Sequence, residues 1–439
     1  MKVLVVVFFV GVIAVLKLLF LQPLIYSVIV RIYGFGIRVA SIFGGKARAW
    51  VKGRENLFER LQQQVQSGGR KTIWMHCASL GEFEQGRPLL ETLKKQHPQA
   101  YIVLSFYSPS GFEVRKDYAG ADVVTYMPLD TAANASRFID IIKPDVAIFV
   151  KYEFWYHHLK ALKSRNIPTY LASGIFRKGQ LFFKWYGRLH KDMLRCFTTL
   201  FVQEEGSLAL LEKIKMTHGV LAFDSRFDRV KEIADKPVSI PLIAQFVEGF
   251  NVLVAGSTWP KDERVLQRVF YKSLVFVNFK LILAPHHIEG KWMQRTMKLF
   301  KKFSVKYSEA EKLPYEELMA KRIMIIDNMG MLSQLYRYAD VNYIGGGLNK
   351  GVHNTLEAAV YGKPLIIGPR YKKFHEAVGL VKANAALVIT DADDLLNRIN
   401  LMNQFPFVWK GVGIDAAKYV TDRLGGTETM ADIISKKIS

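Results

Sequence analysis

The chain has 439 residues, half of them apolar, with 61 Lys and Arg against 39 Asp and Glu and a formal charge of +22. Disordered chains pair high charge with low hydrophobicity, so this composition indicates a folded protein, and the length suits two or three domains. Two cysteines, Cys77 and Cys196, exclude a disulfide framework or a four-cysteine zinc site and favour a reducing compartment, while the basic excess leaves nucleic acid or an anionic, phosphorylated lipid surface as partner.

Residues Val3 to Leu21 are apolar except Lys17, close to the length that spans a bilayer, and the apolar run resumes from Leu24 to Val30. No small-x-small cleavage site stands near residue 25, which argues against a removed signal peptide. Arg31, Arg38, Lys46, Arg48, Lys52 and Arg54 follow, against Lys2 upstream, so the positive-inside bias puts the rest of the chain in the cytoplasm. A buried core helix is the alternative, since Lys17 is costly at mid-membrane unless it snorkels. Residues 1–30 are thus expected to form a single membrane anchor.

Beyond residue 70 the spacing predicts strands at Ile73–Cys77, Ile102–Phe106, Val123–Tyr126, Val146–Val150, Thr169–Ala172 and Leu200–Val202. Amphipathic stretches such as Gly86–Lys95 and Ala132–Ile142 lie between them. After the polar, proline-marked segment 235–241 the alternation restarts, with strands at Val252–Ala255, Leu281–Ala284, Ile323–Ile326, Val341–Ile344, Leu365–Ile367 and Leu387–Ile389. Such alternation means βαβ units, parallel sheets and an α/β class, with ligands held at the carboxyl ends of the strands. The expected domains are 31–240 and 241–439.

Several predicted strand ends carry chemistry. Glu82 follows the first strand in Ser79-Leu-Gly-Glu82, where it reads either as a general base or as the acidic residue of a capping box. Glu153, after Val146–Val150, reads equally as a cleft carboxylate or a salt-bridged one, and Phe154 and Trp155 read as core. In the second half, Gly345-Gly-Gly347 leads to His353, Asn354 and Glu357. Glycines let backbone amides approach an anion, and a helix starting near His353 would place His353 and Glu357 on one face, a pattern that favours a nucleotide. It matches neither the dinucleotide fingerprint nor a P-loop. Ser257-Thr258, His286-His287 and Met329-Gly330 end three more predicted strands, and one adjacent His pair makes a poor metal site. Residues 176–188 and 298–306 interleave aromatic and basic side chains. They read as amphipathic helices with a basic face, the first suited to anionic headgroups, and single-stranded nucleic acid ranks lower.

Taken together, Ala78–Phe83, Ser108–Gly111, Pro128–Asp130, Glu153–Trp155, Gly256–Thr258, Met329-Gly330 and Gly345–Gly347 with His353, Asn354 and Glu357 resemble the 3-deoxy-D-manno-octulosonic acid (Kdo) transferases of lipopolysaccharide synthesis. The resemblance runs from about residue 30 to 430 and implies the GT-B architecture, two facing Rossmann-like domains with an N-terminal membrane-anchor helix. It implies inverting transfer of Kdo from CMP-Kdo to the phosphorylated lipid A precursor, with Glu82 as catalytic base and no cofactor or metal. It further implies Glu153, Arg177 and Lys178 on the acceptor side, and Ser257, Thr258, His286, His287, Met329, Gly330, Gly346, Gly347, His353, Asn354 and Glu357 around the donor. Glu357 would meet the ribose and Met329-Gly330 the cytosine. The expected partners are CMP-Kdo, the lipid A precursor and an anionic membrane surface, without nucleic acid, at the cytoplasmic face of the inner membrane. The chain departs from the family pattern at His286, where Arg is usual, at Tyr156-His157 and at Ser173–Arg177. A UDP-sugar enzyme of the same architecture, or a non-catalytic anchored protein binding anionic lipid or nucleic acid, is the alternative.

Overall fold

The computed structural model describes the backbone of residues 2–272, 278–301 and 303–438, and the side chains of 21–271, 278–301 and 303–438. The chain forms two compact units, Met1–Ser225 with Gly425–Ser439, and Arg226–Leu424. Each holds a seven-stranded parallel sheet.

In the first unit the strands are β1 (Thr72–Cys77), β2 (Tyr101–Phe106), β3 (Val123–Tyr126), β4 (Val146–Val150), β5 (Thr169–Gly174), β6 (Thr199–Val202) and β7 (Gly219–Leu221), in the order β3-β2-β1-β4-β5-β6-β7. Side chains on β1 alternate between two cores: Trp74 packs with Tyr101, Phe138 and Phe149, whereas Ile73, Met75 and Cys77 pack with Phe83, Leu90 and Leu93. Burial on both faces explains why these strands read as unbroken apolar runs. The order in which strands are added reverses between β1 and β4, and their carboxyl ends are where such a sheet holds a ligand.

The second sheet contains β8 (Asn251–Thr258), β9 (Phe279–Pro285), β10 (Ser304–Lys306), β11 (Ile323–Ile325), β12 (Val341–Ile344), β13 (Leu365–Ile367) and β14 (Ala386–Val388), ordered β10-β11-β9-β8-β12-β13-β14. Here β8 lies centrally, flanked by β9 and β12, and the switch falls among those three strand ends.

The division differs from the expected boundary at 240/241. The helix Ser225–Asp235 buries Phe227 and Val230 with Ile243 and Phe246 of the second unit, so the proline-marked segment lies inside that unit. The C-terminal helix Gly426–Ser435 returns to the first unit, placing Met430, Ala431 and Ile434 against Leu89, Leu90 and Leu93. The described residues of the second basic stretch divide between the end of the helix Gly290–Phe300 and β10 rather than forming one amphipathic helix, and 176–187 is a loop around the short turn Leu181–Phe183, with Phe176 and Phe182 buried.

At the N-terminus one helix runs from Lys2 to Ile42, and Leu21–Ile42 is long and apolar enough to cross a membrane. The side chains of most of the expected anchor, up to residue 20, lie outside the described residues. From residue 22 onward one stripe faces the first unit: Gln22 Nε2 donates to Tyr186 O at 2.6 Å, Tyr26 Oη to Asp130 Oδ2 at 2.6 Å, and Ser27 Oγ pairs with His157 Nε2 at 2.9 Å. The opposite stripe, with Leu24, Val28, Ile29, Ile32 and Phe35, is exposed.

Candidate functional site

In the first unit, β1 ends at Cys77 and the chain turns through Ser79, in extended conformation, into the helix Leu80–Gln96. Glu82 stands in the first turn of that helix, half-buried. Ser79 Oγ donates a hydrogen bond to Glu82 Oε2 rather than capping the backbone. The helix can lie against the sheet because Gly86 has no side chain: a Cβ there would stand 2.8 Å from Val150 Cγ2 and 3.1 Å from Met75 Sδ. Glu153 follows β4 across the switch point and is buried. Both carboxylates act on Cys77, whose thiol is pushed up by burial, then by Glu153 and Glu82. The structure thus places the two acidic residues singled out from the sequence just beyond the ends of neighbouring strands, β1 and β4.

Glu153 is held by a buried relay that the sequence did not reveal. Trp155 Nε1 donates to Glu153 Oε2 at 2.6 Å, and His76 Nε2 lies 3.2 Å from the same oxygen. Trp74 Nε1 donates to Ser105 Oγ at 2.8 Å, so the Ser105 hydroxyl is free to donate to His76 Nδ1, also at 2.8 Å. His76 then carries its proton on Nε2, facing Glu153. Trp155, expected to be plain core, is therefore a hydrogen-bond donor to the site. The available signal was polar His76 on an otherwise apolar strand, on the same face as Trp74.

A second buried carboxylate, Asp130, accepts from the backbone N–H groups of His157 and His158 at 3.1 and 3.0 Å, from His158 Nδ1 at 2.6 Å and from Tyr26. Burial alone would raise the Asp130 carboxyl, but the bonds from His158 and Tyr26 outweigh it and hold it below the usual carboxylate range. Asp130 thereby joins the start of the helix Tyr156–Ser164 to the N-terminal helix. Arg177 and Lys178 are exposed on the loop after β5.

In the second unit the loops after β8, β9 and β12 meet. Gly345 is required by close approach, since a Cβ would stand 2.3 Å from Ser257 O, and Gly347 packs on Gly368, whose N would lie 2.6 Å from a Cβ. Ser257 itself sits in the left-handed region at φ 52°. Asp262, buried in the first turn of the helix Pro260–Lys272, ties these loops together. Its carboxylate accepts from Trp259 N at 2.8 Å, Gly346 N at 2.9 Å and Tyr343 Oη at 2.7 Å. The Gly346 amide, offered to a phosphate by the sequence, is thus engaged within the protein. Burial raises the Asp262 carboxyl despite these bonds.

His286 and His287 follow β9, and His353 meets them from the glycine loop, with the His286 and His353 ring centroids 4.4 Å apart. The expected helix start near His353 falls instead at Leu356, in the short helix Leu356–Ala359, so His353 and Glu357 do not share a helix face. Asn354 is engaged locally: its Oδ1 accepts from Leu356 N at 3.1 Å and its Nδ2 donates to Glu357 Oε1 at 2.8 Å. Burial raises the Glu357 carboxyl. Thr258 is buried with its hydroxyl toward Glu263 at 3.5 Å, whereas Met329 is 79% exposed beside Gly330 at φ 95°, after β11 and one strand beyond β9. No group of three or more His, Cys, Asp or Glu among the described residues is placed to hold a metal ion.

Residues 55–229 match the family described as 3-Deoxy-D-manno-octulosonic-acid transferase (kdotransferase). The 3-deoxy-D-manno-octulosonic acid transferase of Aquifex aeolicus (strain VF5) is 27% identical over 336 residues, covering 74% of this chain and 86% of that protein. The enzyme of the same name from Haemophilus influenzae is 26% identical over 340 residues, covering 74% and 77%. Among solved structures, the UDP-GlcNAc 2-epimerase of Neisseria meningitidis bound to UDP-GlcNAc is similar with a TM-score of 0.57 at 13% identity, covering 84% of this chain and 99% of its own. That likeness shows the fold alone: two doubly wound α/β units of the GT-B class.

Proposed function

Because the chain belongs to the Kdo transferase family and is a glycosyltransferase of lipopolysaccharide synthesis, we propose that it moves Kdo from CMP-Kdo to the phosphorylated lipid A precursor with inversion, using Glu82 as general base. The observation that carries this reading is Glu82 at the β1 end of the first sheet's switch point, fixed by the Ser79 hydroxyl through one oxygen only. Glu82 Oε1 is left to take the proton of an acceptor hydroxyl. As that proton transfers, the hydroxyl oxygen bonds to the anomeric carbon of Kdo and the bond from that carbon to the phosphate oxygen breaks. The electron pair leaves with CMP, and the transition state has oxocarbenium character, as in glycoside hydrolysis.

Glu153, its Oε2 held by Trp155 and His76, gives the acceptor side a fixed acceptor beside Glu82. Arg177 and Lys178 supply exposed cations for the acceptor's phosphates. In the second unit His286, His287 and His353 stand where the departing phosphate needs its charge met, with Ser257, Thr258, Gly346, Gly347 and Asn354 shaping the surrounding loops. Glu357 serves as acceptor for ribose hydroxyls and Met329-Gly330 lies against the base. The exposed apolar stripe of the N-terminal helix fits an anchor in the inner membrane, with the catalytic units on the cytoplasmic side, where the basic surface meets anionic headgroups.

The test is incubation of the purified full chain with CMP-Kdo and lipid A precursor, following CMP release and the mass of the lipid. Glu82→Gln is expected to lower transfer by about 10²–10⁴-fold while CMP binding is unchanged. No transfer by the wild type sinks the reading; near-wild-type turnover by a folded Glu82→Gln protein sinks the assignment of the base.

A further inference from the structure

Three aromatic side chains from three strand ends of the second unit form one stack, with the His287 and Trp292 rings edge-on to Trp259. Trp259 follows β8, His286 follows β9, His353 comes from the loop after β12, and Trp292 from the helix Gly290–Phe300 closes the far side at 5.2 Å from His287. The His286 ring lies flat on His353 at 4.4 Å and 27° and flat on Trp259 at 4.9 Å and 20°. Trp259 Nε1 meets His353 Nε2 at 2.7 Å. An indole nitrogen only donates, so His353 Nε2 must be the unprotonated acceptor and the His353 proton sits on Nδ1.

We propose that this stack is a proton-coupled anion seat: the anionic phosphoester of the donor and one proton bind together, the proton on His286, with Trp259 as the positioning residue that holds His353 neutral beneath it. The inference rests on the reading of the second unit as the donor site.

Three imidazoles this close repel one another when charged, so the free site favours neutral rings. Burial and His287 lower His286, and burial with His286 and His287 takes His353 down to about 4. No carboxylate among the described residues is ion-paired with these rings. On the packed elements, Asp262 is turned to Trp259 N, Gly346 N and Tyr343, and Glu263 to Thr258 and Thr296. Glu289 and Lys291 at the start of the helix are exposed, and Lys350 Nζ stands 6.0 Å over the Trp259 ring.

An arriving phosphoester supplies the missing negative charge. His353 cannot take the added proton on Nε2 without giving up the Trp259 bond. His286 is exposed and free to do so, and as an imidazolium it gains the faces of an indole and a neutral imidazole. The sign follows from linkage. Where His286 is protonated only in the complex, affinity falls by up to about tenfold per pH unit as pH rises, and it is flat above and below that window.

The experiment is titration calorimetry of the full chain with cytidine 5′-(methyl phosphate), whose single phosphodiester charge does not titrate between about pH 5.5 and about pH 8. Buffers of different ionisation heat count the protons. The wild type is expected to take up close to one proton near neutrality and to bind more weakly as pH rises. His286→Asn should bind about tenfold more weakly, with no uptake and a flat profile, and His286→Arg should be flat but tight. Trp259→Phe keeps a ring and deletes the donor, freeing His353 to titrate, so adding it to His286→Asn should restore proton uptake, which lost packing alone does not cause. Binding by the wild type without a proton, or uptake that persists in His286→Asn, overturns the coupling and leaves the donor reading standing. A probe that does not bind at all overturns the donor reading and the seat together.

Discussion

Asp262 is the residue on which the second unit's loops hang, and its replacement separates two ideas of how it works. Asp262→Ala strands three donors: the Gly346 amide and the Tyr343 hydroxyl, both buried, and the part-buried Trp259 amide. Each unsatisfied buried group costs about 1–3 kcal/mol, and partial relaxation toward water brings the expected total to about 4 kcal/mol. Asp262→Asn keeps one carbonyl oxygen in place of Oδ2, which serves both amides, while the Tyr343 hydroxyl can rotate to accept from the new NH₂ group. Its cost should be about 1 kcal/mol, the loss of charge assistance. The raised Asp262 carboxyl agrees with this, because burial already penalises its charge. For a group whose folded value is raised, stability grows as pH falls through that value toward the ordinary carboxylate range, and Asp262→Asn removes this contribution. Hydrogen exchange at the Gly346 and Trp259 amides, with melting of the full chain, reads both variants. Asp262→Ala should speed exchange at these amides by about a thousandfold, the equivalent of about 4 kcal/mol. If Asn proves as damaging as Ala, charge rather than hydrogen-bond acceptance holds the loops, and the reasoning is refuted.

Four further substitutions have outcomes set by their surroundings. His353, lowered to about 4 by burial and its neighbouring imidazoles, makes the second unit lose stability as pH falls from about 6.5 to about 4, and His353→Gln should flatten that part of an acid-melting profile. Gly347→Ala drives a Cβ to within 2.6 Å of the Gly368 backbone and should cost about 1–3 kcal/mol with weaker CMP binding. Gly206→Ala, in the helix Glu205–Lys213 with open space around it, should instead stabilise by about 0.5–1 kcal/mol, and a thermal melt ranks the two. Ile434→Asp puts a charge into the core of the first unit and should cost more than about 3 kcal/mol there, read by exchange at Leu89 and Leu90, while CMP binding by the second unit persists.

What the sequence disclosed and what it withheld divide along a physical line. Strands buried on both faces appear as apolar runs wherever they occur, so the central strands of both sheets were legible, with ends displaced by at most three residues. β7 and β10 were not, because Gly219-Val-Leu221 and Ser304-Val-Lys306 carry only one or two apolar residues each, whereas the all-apolar edge strand β14 was. The C-terminal helix carries an amphipathic pattern, but nothing local says that its apolar face belongs to Leu89, Leu90 and Leu93 rather than to the sheet that precedes it. The site behaves the same way. Glu82 and Glu153 were singled out because a strand end is a local feature, and the Ser79–Glu82 bond was implicit in a spacing of three. Their electrostatic partners are set at long range: His76 and Glu153 are 77 positions apart, Asp262 and Gly346 are 84 apart, and Trp259 and His353 are 94 apart. Residue type and spacing thus locate a group at a strand end, whereas its tautomer and its free lone pairs are decided by the neighbour the fold delivers. His353 shows the consequence most directly. From the sequence it was one more imidazole for a phosphate, and the indole of Trp259 makes it a neutral donor through Nδ1, leaving His286 as the ring that can carry charge.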